Sequence, residues 1–315
     1  MTSLTIIKRE VKKLKWLLAI GLILSSSTAD HHDEIDLVWN GESIVEVQRS
    51  DFSIPWFGYP ILNHTMLETL NKQLSLQIMK EPTNAGLDDY GKIIPEDVGY
   101  ILDEKKFKKE FTASFFEDDH TRIQVPTLPV YPKVDSEIIA NIRTNLIGHY
   151  ITYFNSRNKQ RTHNISLAAE AINNHVVFPG ETFSFNKVVG KRTASRGYQP
   201  APIIVRGELS EGIGGGICQV SSTLFNAADR SGMKILERYS HSKQVPYVPP
   251  GRDATVSWYG PDFTFKNKYK QPILIRAKTY PGKMVVMIYS SDEINIEKRN
   301  IPSTDSNITI PEKAF

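Results

Sequence analysis

GGGICQVSSTLFNAADRSG, residues 214–232, is the stretch on which the reading of this chain turns. After three consecutive glycines, Val220, Leu224 and Ala227 or Ala228 share one helical face, and Gly232 stands where a helix stop belongs. The spacing predicts a helix with Cys218, the one cysteine of the chain, in its first turn. A thiol there meets unpaired N–H groups and the positive end of the helix dipole, which favour its thiolate. Gly214, Gly215 and Gly216 leave the approach to the sulfur open, and their N–H groups suit an oxyanion. The same residues also fit a small core thiol beside a loop packed tightly on a sheet. Two readings of Cys218 therefore stand, nucleophile and packed core residue.

A nucleophile needs a base and an orienting group. His241, in RYSHS, follows a strand that begins just after the predicted helix. Asp253 in GRDATV and Asp262 in GPDF each open a further extended segment, and either suits the third position of a triad. Cysteine at a helix start, then histidine, then aspartate is the order seen in transglutaminase-like cysteine enzymes, an analogy of order alone. Arg192, Arg196, Arg206, Arg238 and Arg252 crowd this half of the chain. Arg196 and Arg252, with Tyr198 and the glycine triplet, are the candidate substrate contacts, since guanidinium groups bind carboxylates in bidentate fashion. Tyr198, Tyr247 and Trp258 offer a platform for sugar rings, or serve as core and rim aromatics. There is no Gly-x-Gly-x-x-Gly, phosphate-loop lysine, His-Glu-x-x-His or cysteine pair, so no cofactor or metal is expected.

At 315 residues, 40% hydrophobic and 23% charged, the chain has the size of two folded domains. Residues 1–29 run from the basic KREVKKLK through the apolar WLLAIGLIL to the small SSSTA, the layout of a secretory signal peptide. The apolar run is shorter than the ~20 residues of a spanning helix, so any membrane attachment would be through an uncleaved signal. That segment holds five of the 38 Lys and Arg and one of the 35 acids, which leaves 33 against 34 and a net charge of −1. The basicity thus belongs to the targeting segment, and nucleic-acid binding loses its support. An extracytoplasmic location is expected, where a single cysteine has no disulfide partner. Behind the signal, His31, His32 and Asp33 read as a solvated polar stretch near a cleaved terminus.

Residues 30–135 show an α/β pattern. SIVEVQ reads as a strand, TMLETLNKQLSLQIM as a helix with Leu67, Leu70, Leu74 and Ile78 on one face, and EKKFKKEFTASFF as a second helix. TRIQVPTLPVYPKV reads as an edge strand or linker. Residues 136–292 form the second domain. Residues 137–158, opening EIIANIRTNLIGHYITYF, suit a helix or a long strand, and NISLAAEAINN a helix closed at Asn173-Asn174. PILIRAKTY and KMVVMIYS form a hairpin about Pro281-Gly282, with the alternation of a half-buried antiparallel sheet. The tail from residue 293 is polar and reads as loose. Helices set apart from a late run of antiparallel strands make an α+β fold, with the cysteine at the start of a helix against the C-terminal sheet.

From about residue 164 to 289, PGETFSFN, GGGICQ and GRDATV occur in order, and in this the chain resembles the VanW family. PTNAG, IIPEDVGYILD and VPTLPVYPKV, earlier in the chain, are similar to a peptidoglycan-binding-like domain that often precedes VanW domains. The resemblance implies a bacterial envelope protein, of a family associated with accessory parts of vancomycin-type resistance. It supplies no reaction. Combined with the residues, it leads to an exported protein whose partner is peptidoglycan or another wall component. Two functions follow: a Cys218–His241–Asp253 amide hydrolase or transferase, or a non-catalytic wall-binding or accessory module with Cys218 as a structural residue.

Overall fold

The computed structural model describes residues 33–56, 59–117, 121–205 and 208–304. The signal-like segment, His31, His32, Arg206 and residues 305–315 lie outside the described residues. The described chain divides into two compact units, one of residues 33–85 and 94–135, the other of residues 86–93 and 136–304.

The first unit begins with strands β1 (Glu34–Trp39), β2 (Glu42–Gln48), β3 (Ser53–Trp56) and β4 (Tyr59–Leu62), then helix α1 (His64–Ile78). After the short β5 (Gly86–Leu87) and β6 (Ile93–Ile94) come β7 (Gly99–Leu102), α2 (Glu104–Phe115), β8 (Thr121–Gln124) and β9 (Thr127–Val130). β1 pairs antiparallel with β2 and parallel with β8, which makes TRIQ an edge strand. Leu67, Leu70, Leu74 and Ile78 of α1 are buried with Phe107, Phe111 and Phe115 of α2 against Ile35 and Leu37. Each helix begins where a side chain caps it: Asn63 accepts from the N–H groups of Thr65 and Met66, and Asp103 from that of Lys106.

The second unit is α+β. Residues 137–158 are neither one helix nor one strand: α3 (Ser136–Ile142) ends before Arg143-Thr144, and β10 (Asn145–Tyr153) follows. The apolar period changes there, from the buried Ile139 and Ile142 on a helix to inward alternation along the strand. Then come α4 (Lys159–Ile172), β11 (His175–Val177), β12 (Thr182–Ser184), α5 (Phe185–Val189), β13 (Pro200–Val205) and β14 (Glu208–Ile213). α6 (Ile217–Arg230) precedes β15 (Lys234–Glu237), β16 (Thr264–Lys266), β17 (Ile273–Tyr280) and β18 (Lys283–Ser290). β17 and β18 pair residue for residue about Pro281-Gly282, with Gly282 at φ +76°, inside a four-stranded antiparallel sheet ordered β10-β18-β17-β11. A second sheet, β12-β16-β15, and the β13–β14 hairpin complete the unit.

α6 packs across β10 and β18, and α4 lies against β17 and α6. α6 is not amphipathic in the expected sense: all its residues from Gln219 to Asp229 are buried, polar ones included. A helix covered on every side must satisfy its polar groups internally. Gln219 Nε2 donates to Thr152 Oγ1 (3.0 Å) and the Tyr153 carbonyl (2.9 Å), and Thr223 shares a 2.8 Å hydrogen bond with Thr152. Its polar side chains thus stitch the helix to its neighbours.

Residues 292–304 carry no regular structure, yet they are docked. Ile294 and Ile301 join the hydrophobic core. Arg230 Nη2 donates to the Ile301 carbonyl at 2.6 Å, Tyr150 Oη to that of Pro302 at 2.9 Å, and Arg299 Nη1 bonds Asp229 at 2.5 Å. The expected loose tail is corrected for this stretch: two buried isoleucines among polar residues outweigh the polar composition. Ile301→Ala is expected to destabilise the fold by about 2 kcal/mol or more, read as a lower urea midpoint at unchanged slope; a change under 0.5 kcal/mol would mean an undocked segment.

Candidate active site

Each glycine at 214–216 has a reason: Gly214 and Gly216 take positive φ, and Gly215 lies directly against β13. A Cβ at 215 would stand 2.6 Å from the carbonyl oxygens of both Ala201 and Pro202, main-chain atoms that cannot step aside. Gly216 is the N-cap of α6 with φ +106°, in the region that favours glycine. No side chain caps this helix, so the first-turn N–H groups stay uncommitted to one. Cys218 sits in that turn, partly buried, with Sγ 3.7 Å from Thr255 Oγ1 and 3.5 Å from the Val256 carbonyl oxygen.

The segment bearing Thr255 is attached to α6 itself. Ser222 Oγ accepts from the Ala254 N–H (2.8 Å), Ser221 Oγ donates to the Ala254 carbonyl (2.5 Å), and Asn226 Nδ2 donates to the Arg252 carbonyl (2.8 Å). Asp253 lies within this docked run. Its Oδ2 accepts from both the main-chain N–H and Nδ1 of His241, each at 2.6 Å. With Nδ1 engaged, Nε2 is the ring nitrogen left for Cys218. Tyr239 pairs with Thr255 in an isolated antiparallel bridge, which brings the strand leading to His241 alongside the same run.

The electrostatics agree with this arrangement. Burial pushes the Cys218 thiol up, but hydrogen bonding to His241 and the charge on its ring, helped by the Val256 main chain and the Thr255 hydroxyl, bring it below its ordinary value. Burial disfavours the His241 imidazolium, yet the Asp253 carboxylate and the Cys218 sulfur raise its pKa to about 9. Burial acts to raise the Asp253 pKa too, and the hydrogen bonds from His241 hold it low. The shifts on sulfur and imidazole run in opposite directions, each toward a thiolate–imidazolium pair beside the Asp253 carboxylate.

A cavity of about 420 Å³ opens on the sulfur, lined by Gly214, Gly216, Cys218, His241, Tyr247 and Trp258 among others. Cys218, His241 and Asp253 are thus brought together, and Gly214 and Gly216 reach the cavity while Gly215 backs onto β13. Asp262 is elsewhere: its carboxylate accepts from Ser184 Oγ, the Asn186 N–H and the Phe263 N–H. The other proposed substrate contacts do not line the cavity. Arg196 Nη1 is used by the Val189 and Lys191 carbonyls, Arg252 by Asn226 and Asp229, and Tyr198 is 4% exposed in the core. The arginines that do line it are Arg161 and Arg192. Arg161 was legible, since it falls on the buried stripe of α4 in register with Ile165, Ala168 and Ile172. Arg192 carries no comparable signal. Among the described residues, no group of three or more His, Cys, Asp or Glu is arranged to hold a metal.

Gly215→Ala should destabilise the protein by about 1–3 kcal/mol, measured by denaturant unfolding, because the added methyl meets main-chain oxygens; wild-type stability would contradict the close approach. For the wild type, the rate of Cys218 alkylation against pH should inflect below the ~8.5 of an ordinary thiol. Asp253→Asn removes the charge that sustains the imidazolium, so the His241 pKa falls and the thiol inflection moves upward. An unmoved inflection would sever Asp253 from the pair.

The family model described as VanW like protein matches residues 160–289, the span that holds Cys218, His241 and Asp253. A Bacillus subtilis protein bearing the name "Uncharacterized protein YoaR" is 55% identical over 292 residues, 93% of this chain and 96% of that protein. The "Vancomycin B-type resistance protein VanW" of Enterococcus faecalis is 33% identical over 104 residues, 31% of this chain and 38% of that protein. No solved structure matches the chain. With the catalytic-type residues inside the matched span and a relative aligned along nearly its whole length, the chain belongs to the VanW-like family.

Proposed function

We propose that this protein is a cysteine-dependent amide hydrolase or acyl transferase acting on peptide stems of the bacterial cell wall, outside the cytoplasmic membrane. One observation carries the reading: Cys218 and His241 line one open cavity, and the buried Asp253 carboxylate holds His241 Nδ1 at 2.6 Å. The Cys218 thiolate attacks the amide carbonyl carbon. The Cys218 N–H receives the oxygen as it becomes negative, since those of Ile217 and Gln219 are given to the Gly214 and Gly216 carbonyls. The imidazolium gives its proton to the departing amine as the C–N bond breaks, leaving a thioester on Cys218. Water or a second amine then attacks the thioester, His241 takes up the proton of that nucleophile, and the thiolate is released.

Wall peptides are the substrate of choice for two reasons. The first 29 residues have the layout of an export signal. A relative over part of this span bears the name of a vancomycin-resistance protein. The first unit, with its resemblance to peptidoglycan-binding-like domains, serves in this reading as the wall-contacting module.

Cys218→Ser is expected to lower turnover of a muropeptide mixture by at least about 10³-fold, followed by mass spectrometry, with thermal unfolding and sedimentation onto purified cell wall retained. Equal product from the variant, or no product from the wild type, would instead leave a wall-binding module with a packed cysteine.

A further inference from the structure

We propose that Arg161 and Arg192 hold a carboxylate of the substrate beside the scissile amide, and so select carboxylate-bearing peptides. The inference rests on the reading of Cys218 as a nucleophile and adds a residue-level basis for specificity. The charged side chains lining the cavity are Arg161, Lys191, Arg192 and His241; among the described residues no aspartate or glutamate lines it. Lys191 stands at the exposed rim, engaged with the Tyr259 hydroxyl and ring.

Arg161 is 6% exposed. Its Nη1 donates to Gln219 Oε1 at 2.9 Å, its Nε has no partner among the described residues, and no carboxylate there pairs with it. Arg192, partly buried, donates to two neutral oxygens, Asn186 Oδ1 (2.7 Å) and the Gly190 carbonyl (3.2 Å). The acid that influences it, Asp262, is engaged by Ser184, Asn186 and Phe263. Withdrawing a guanidinium from water without an anion costs several kcal/mol. Here Arg161 is withdrawn fully and Arg192 in part, and among the described residues no aspartate or glutamate lines the cavity to compensate them. Both also feel the charge of the Cys218 thiolate, so both lie near the reacting sulfur. An anion bound between them would sit within about a residue of the attacked carbonyl, and the planar fork of each guanidinium matches a carboxylate.

The test uses the intact protein and two small alkylating agents, anionic iodoacetate and neutral iodoacetamide, with Cys218 labelling followed by mass spectrometry. Relative to free cysteine, wild-type Cys218 should favour iodoacetate over iodoacetamide by about tenfold or more. Arg161→Gln and Arg192→Gln should each remove that preference, read as the ratio of the two rates so that any change in thiolate fraction cancels. Arg192→Gln, at the less buried site, keeps the test decisive if Arg161→Gln fails to fold by circular dichroism. A wild-type ratio equal to that of free cysteine, or an unchanged ratio in Arg192→Gln, overturns the arginine assignment while efficient iodoacetamide labelling sustains the nucleophile. Failure of both reagents to label Cys218 overturns both readings.

Protection against iodoacetamide identifies the source of the carboxylate. N-acetyl-alanyl-alanine offers a chain-end carboxylate, and N-acetyl-glutamyl-alanine amide offers one on a side chain. Protection by either acid, and not by N-acetyl-alanyl-alanine amide, supports the assignment. Equal protection by acid and amide overturns it.

Discussion

The hydrogen bonds between α6 and the run 252–256 are the constraint on which the site depends. One helix carries Cys218 at its start and, through Ser221, Ser222 and Asn226, grips the main chain on either side of Asp253. Asp253 in turn holds His241 by two hydrogen bonds to one oxygen. The three groups therefore share a frame: a shift of α6 carries the thiol and the orienting carboxylate together. Ordinary loop placement would let the imidazole drift relative to the sulfur, and misplacement of about 1 Å can cost about 10²-fold in rate. The polar residues of α6 repay their burial by this registration, with Arg252, bonded to Asn226 and Asp229, bracing the same run from its other side.

A second theme is the uneven distribution of charge. Cys218, His241, the two guanidinium groups and, at the rim, Lys191 meet at a cavity whose walls are otherwise apolar or neutral, including Pro202, Ile203, Ile213 and Val245. In such surroundings each charge acts more strongly than it would in water.

Much of this was legible in the residues. The helix behind GGG, the hairpin about Pro281-Gly282 and the helix stripe at Leu67, Leu70, Leu74 and Ile78 follow from local periodicity and turn chemistry, which act within a few residues. The pairing of His241 with Asp253 was readable only as one of two options, because Asp262 has the same local setting; what separates them is long-range docking onto α6. The arginines were chosen by density along the chain, whereas function depends on which side chain the fold turns toward the cavity. Arg196 and Arg252 are consumed by carbonyls and by Asp229, partners set by tertiary packing. The residues past 292 misled for a related reason: sparse isoleucines can dock a segment that is polar on average.

The docked segment after β18 bears on the order in which the molecule comes into being. Arg299 and the carbonyl of Ile301 bind at the C-terminal end of α6, some 70 residues further along the chain than Asp229 and Arg230. β18, one of the two strands on which α6 rests, is also made after it. During synthesis the cysteine thus emerges long before the surfaces that enclose its helix and before the histidine and aspartate that lower its pKa. Contacts so distant in sequence form late in folding. Until they form, the thiol is that of an ordinary cysteine, and its altered setting arrives only with the finished fold.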